Sequence, residues 1–144
     1  MQAEISFIFN DIKFSLANRI FLKEYLVYIF KNEETPLASL NYIFTNDAYV
    51  RGINKKFLKH DYNTDIITFP MQTIGQPIEG EIYISIDTVK RNAFDLGVSF
   101  TNELHRVIFH GALHLCGHND KTKQEIEDIR LLEDFYLEQF FENL

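Results

Sequence analysis

The sequence predicts one α+β domain, a small mixed sheet packed against helices, and three observations carry that prediction. With 144 residues, 46% of them hydrophobic and 15% aromatic, the chain can bury a sizeable core and does not suit disorder. Strand-like alternation and helix-like spacing follow one another from end to end. No internal repeat, low-complexity tract or linker divides residues 1–144.

The opening strand is Ala3 to Phe9, where Ile5, Phe7 and Phe9 alternate with Glu4, Ser6 and Ile8. Ser15 is read as the N-cap of a helix to about Lys31, whose wide apolar face includes Leu16, Ile20, Leu26, Ile29 and Phe30. Pro36 ends it, and Ala38 to Phe44 form a second strand. Thr45-Asn46-Asp47 opens a helix to about Lys59, along which Arg51, Lys55 and Lys59 recur every four residues as a basic stripe flanked by Lys56.

His60 to Asp65 read as a polar turn, Ile66 to Phe69 as a short strand stopped by Pro70, and Gln72 to Glu79 as a loop. Gly80 to Ile86 is the clearest strand and pairs with the preceding one as a hairpin. Asp87 is assigned as N-cap of a short helix that Gly97 ends, and Ser99 or Thr101 begins the next helix. Thr122 and Glu125 form a capping box for a last helix with Ile126, Ile129, Leu132, Tyr136 and Phe140 in its apolar stripe.

The formal net charge of −7 argues against non-specific coating of nucleic acid, which needs many basic residues on one face, but it allows a local site. Acidic residues gather after position 120, where they are expected to make a solvated helix face. The longest uncharged apolar run, Tyr25 to Phe30, is far shorter than a membrane span, and no signal-type core opens the chain, so a cytoplasmic protein is expected. The lone Cys116 excludes an internal disulfide and reads as a small buried hydrophobe.

The chemistry is concentrated between His110 and Asp120, which holds three of the five histidines. His110 and His114 are one helical turn apart, ~6 Å along the axis, so both imidazoles can reach one ion. A continued helix would carry His118 ~12 Å past His110, so a third ligand requires a break. Gly117 supplies one: a left-handed residue there reverses the chain and brings back either His118 or Asp120. In zinc peptidases the residue after the first histidine is a Glu base; here it is Gly111, so that mechanism lacks its base. His105 lies off the face of the pair and reads as structural.

The segment resembles the signature of the YbeY family, bacterial metal-dependent endoribonucleases of rRNA maturation, which run His-Gly-x-Leu-His-Leu-x-Gly before a third ligand. His110 to Gly117 match it throughout. Upstream, Asn54, the run Thr64 to Pro70 and the strand Gly80 to Ser85 resemble further family elements, and Glu103 stands seven residues before His110 as its counterpart does. Two positions depart from the pattern: Asp120 stands where the family usually has a third His, and Leu58 where it usually has an Arg.

The resemblance implies a zincin-like domain with one Zn²⁺ held by His110, His114 and Asp120, and His118 as the alternative third ligand. Asp120, three residues beyond the glycine, also has more chain in which to come round than His118. The implied reaction is phosphodiester hydrolysis of single-stranded RNA, in maturation of small-subunit rRNA and ribosome quality control. The partners would be rRNA and the small subunit or its proteins, with no DNA and no membrane. Asp65 is a candidate base, balanced against an Asx-type turn role. Arg51, Lys55 and Lys59 are a candidate RNA track, balanced against an ordinary solvated face. Glu103 is too far along the axis to be a ligand and suits the first helical turn. The competing readings are a metallopeptidase and a ribosome-assembly factor with a structural metal.

Overall fold

The computed structural model describes residues 2–144, in which strands and helices follow one another as β1 (Glu4–Phe9), α1 (Arg19–Asn32), β2 (Leu37–Thr45), α2 (Asp47–Leu58), β3 (Ile66–Pro70), β4 (Ile78–Ser85), α3 (Ile86–Leu96), α4 (Phe100–Leu115) and α5 (Lys123–Glu142). The sheet order is β1-β2-β4-β3. β1 and β2 run parallel, as do β2 and β4, while β3 and β4 form the antiparallel hairpin that makes the sheet mixed. Parallel neighbours need crossover connections, and α1 supplies the one between β1 and β2.

The central strands bring the largest apolar side chains inward. Leu40, Tyr42 and Phe44 of β2 and Ile82 and Ile84 of β4 are fully buried in one core with α1, α4 and α5. Tyr42 keeps its hydroxyl satisfied by donating to the Ile108 carbonyl at 2.8 Å, which pins α4 across the sheet at one level. Gly111 allows the close approach: a Cβ there would sit 2.8 Å from Ile66 Cδ1 and 3.3 Å from Ile82. The residue that denies the chain a peptidase base is thus also the contact point of helix and sheet.

Several boundaries differ from the sequence reading. Helix α1 begins at Arg19 rather than after Ser15, because Asn18 takes a left-handed conformation that no continuous helix contains. The residues before it anchor the core instead, with Leu16 buried and Phe14 packed 5.1 Å from Phe9 and 5.3 Å from Phe44. Strand β4 starts at Ile78, inside the expected loop, and ends at Ser85, whose hydroxyl accepts the Thr88 N–H and caps α3. Asp87 is therefore not the cap; its carboxylate accepts the Asp47 N–H at 3.0 Å.

Other local signals are reproduced. Asn46 caps α2, Ser99 caps α4, and Thr122 with Glu125 forms the capping box of α5. Among the described residues no helix is long and apolar enough to cross a membrane.

Candidate metal centre

The end of α4 folds back as the glycine break requires. Gly117 has φ 101°, its N–H donates to the His114 carbonyl at 3.0 Å, and the His118 N–H donates to the Leu113 carbonyl at 3.1 Å. That pair of bonds is a Schellman turn, which satisfies the last helical carbonyls and reverses the chain. Asp120 then places Oδ2 3.3 Å from His110 Nε2. His118 goes elsewhere: its Nε2 lies 2.7 Å from Glu33 Oε1 at the end of α1, and Glu33 Oε2 accepts the Tyr136 hydroxyl.

Both ligand-type histidines have one ring nitrogen engaged from behind. His110 Nδ1 lies 2.7 Å from Glu133 Oε2, and His114 Nδ1 lies 3.1 Å from the His118 carbonyl oxygen. An Nδ1–H donated to each acceptor leaves Nε2 of both rings as the free lone pair, the arrangement in which imidazoles bind a metal. Glu133 is 4% exposed and also accepts Arg106 Nη1 at 2.9 Å, so its charge is paired. Burial alone would lower the His110 pKa, but the Glu133 hydrogen bond and the charges of Glu133, Asp120 and Asp65 outweigh it and raise it.

His110, His114 and Asp120 share a cavity of about 240 Å³ with Thr64, Asp65 and Thr68. Among the described residues no three His, Cys, Asp or Glu side chains converge as a finished metal cage. The donor types still fit zinc: two histidines and one carboxylate line one cavity, Asp120 Oδ2 lies 3.3 Å from His110 Nε2, and the Nδ1 of each ring is held by an oxygen behind it. Asp65 is half-buried, and burial raises its pKa against the opposing positive charge of His110.

The family model described as Endoribonuclease YbeY matches residues 7–141. The chain belongs to the YbeY family. Among its YbeY relatives, Endoribonuclease YbeY of Cytophaga hutchinsonii is 45% identical over 135 residues, covering 93% of this chain and 94% of that one. Endoribonuclease YbeY of Amoebophilus asiaticus is 40% identical over 136 residues, covering 94% and 92%. The solution structure of TM1509 from Thermotoga maritima matches with a TM-score of 0.63 at 26% identity, covering 97% of this chain and 90% of that one.

The basic stripe lies apart from this YbeY-type centre. Arg51, Lys55 and Lys59 are exposed, but Lys59 leaves the helical stripe by capping α2 in a left-handed conformation. Arg51 Nε is held 2.8 Å from Asp61 Oδ1. None of the three lines the histidine cavity. Leu58, where the YbeY pattern usually has an Arg, is 42% exposed.

Two acidic residues near the centre, Glu103 and Glu133, are buried where the sequence pattern predicts exposure. Glu133 departs from the solvated face expected of the acidic residues after position 120: it is buried, because it falls within the apolar stripe of α5, four after Ile129 and three before Tyr136. That position was the available signal. Glu103 does occupy the first turn of α4, but it is buried, which first-turn placement does not explain. Cys116 is half-buried against the core, and burial pushes its thiol pKa up to about 12, in keeping with a structural role.

Proposed function

We propose that this chain is a zinc-dependent endoribonuclease that hydrolyses single-stranded RNA in small-subunit rRNA maturation and ribosome quality control. Membership of the YbeY family supports ribonuclease activity, and the opposition of His110 Nε2 and Asp120 Oδ2 at 3.3 Å carries the site assignment. His110, His114 and Asp120 would hold the zinc. A zinc with three protein ligands and an open position supplies an activated water and an electrophile for a phosphoryl oxygen.

The remaining steps belong to the chain. Glu133 Oε2 and the His118 carbonyl keep the Nδ1 protons in place and aim the two rings. Asp65 would hold a proton, a role supported by burial that raises its pKa. Lys55 and Lys59 would neutralise phosphates on an RNA strand approaching along α2.

The metallopeptidase reading has no support at Gly111, where a glutamate side chain would meet Ile66 and Ile82. The deciding experiment measures hydrolysis of single-stranded RNA and of casein by the same preparation, with and without a chelator. RNA cleavage lost to chelator and restored by zinc is the expected result. A preparation that binds no transition metal, or cleaves RNA equally well without it, would refute the proposal.

A further inference from the structure

The C-terminal ends of α1 and α4 meet, and each sends one side chain into the contact. Glu33 follows the last residue of α1, and His118 follows the Gly117 turn that closes α4. His118 Nε2 lies 2.7 Å from Glu33 Oε1, a contact that spans 85 residues of chain. The other oxygen, Oε2, accepts the hydroxyl of Tyr136 from α5, and that hydroxyl oxygen accepts Asn32 Nδ2 at 2.8 Å. Both carboxylate oxygens are engaged, and the Glu33 side chain is 14% exposed.

Helix electrostatics do not explain a carboxylate at this place. The last carbonyls of α1 carry partial negative charge, and that end of a helix favours cations. The helix end is also closed without the side chain: the Glu33 N–H donates to the Ile29 carbonyl and the Thr35 N–H to the Phe30 carbonyl, both at 2.9 Å. Among the described residues no lysine or arginine pairs with the Glu33 carboxylate. What Glu33 holds is His118.

His118 in turn serves the centre with its backbone. Its N–H donates to the Leu113 carbonyl at 3.1 Å, and its carbonyl oxygen lies 3.1 Å from His114 Nδ1. A His118 ring fastened to Glu33 therefore fixes the carbonyl that sets the His114 tautomer, the part that Glu133 plays directly for His110. We propose that Glu33 is a positioning residue of the metal centre, acting through His118 to keep His114 Nε2 free as the lone pair. The proposal rests on the zinc reading above and adds α1 to the elements that set ligand geometry.

The test is a double-mutant cycle on the full chain. Zinc affinity is read by competitive chelator titration, and the His114 tautomer by the ring nitrogen resonances of the metal-free protein. Glu33→Ala should lower zinc affinity about tenfold and move the His114 ring nitrogens toward a mixture of tautomers. In a His118→Ala background the same change should have no further effect, because the route runs through that residue. Glu33→Gln, whose amide oxygen can still accept from His118, should restore most of the affinity. Ile29→Val, which loosens the buried face of α1 without touching the contact, is the control and should leave affinity unchanged. Equal losses in Glu33→Ala and Ile29→Val would make Glu33 a residue of stability only and overturn the proposal. Additive losses in the cycle, or His114 resonances that do not move, would also overturn it. A parent chain that binds no zinc would remove the zinc reading, while a His114 tautomer that still depends on Glu33 would uphold the positioning.

Discussion

Glu133 Oε2 lies 2.7 Å from His110 Nδ1 and joins α5 to α4 through a part-buried hydrogen bond. Glu133→Gln keeps the shape and removes the charge that aims the ring. Metal affinity should fall ~10–100-fold, as when other groups that hydrogen-bond a metal-binding imidazole are removed. Competitive chelator titration measures it, and an undiminished affinity would mean that α4 alone orients His110.

Asp120→Ala should lower metal affinity far more than His118→Ala, because Asp120 faces His110 Nε2 whereas His118 is held by Glu33. Asp120→His should retain the metal, since imidazole and carboxylate both serve zinc. The opposite ranking in the same titration would transfer the ligand role to His118.

Replacing Lys55 and Lys59 by Ala should weaken RNA binding and flatten its salt dependence, with metal content unchanged. Arg51→Ala should alter the slope less, because its guanidinium is already paired with Asp61. Filter binding across a salt series separates the two cases; slopes that do not move would leave these lysines as ordinary surface.

Gly111→Glu, which restores the residue of the zinc peptidase pattern, should destabilise the fold by ~3 kcal/mol or more through overpacking and a buried charge. An added Cβ alone would sit 2.8 Å from Ile66 Cδ1 and 3.3 Å from Ile82. Urea midpoints would register the loss, and casein should remain uncut. A variant of parental stability would contradict the close contact of α4 with the sheet.

His105 is buried among Phe109, Phe140 and Phe141, and burial lowers its pKa despite the hydrogen bond to the Thr101 carbonyl. As pH falls through ~6.5 the unfolded chain gains a proton there that the folded chain resists, so this contribution to stability is lost toward acid. His110 acts in the opposite sense, because its raised pKa adds stability as pH falls. His105→Phe should flatten the acid loss of stability relative to the parent, read from urea unfolding over a pH series; parallel pH curves would remove His105 as the cause.

The sheet and the histidine pair were legible because both depend on short-range spacing. Alternation in Gly80 to Ser85, the i, i+4 placement of His110 and His114, and the glycine after them report local geometry directly. The start of α1 was not legible, because Ser15 is a good cap by type, whereas the left-handed turn at Asn18 and the packing of Phe14 and Leu16 on the core set the helix start at Arg19. The environments of Glu103 and Glu133 were hidden for a related reason. Each carboxylate is buried by a helix distant in sequence, and a charged residue in a helical pattern looks the same whether it faces solvent or a histidine.

The order of the chain gives the centre a history. His110 and His114 leave the site of synthesis before the residues that complete their surroundings, because Glu133 and Tyr136 belong to α5, which follows α4 in the chain. A growing chain therefore carries the imidazoles without the carboxylate that aims one of them and without the hydroxyl that helps hold Glu33 against His118. The centre is complete only once α5 has emerged, so a chain cut short before α5 would carry His110, His114 and Asp120 without the Glu133 carboxylate behind His110.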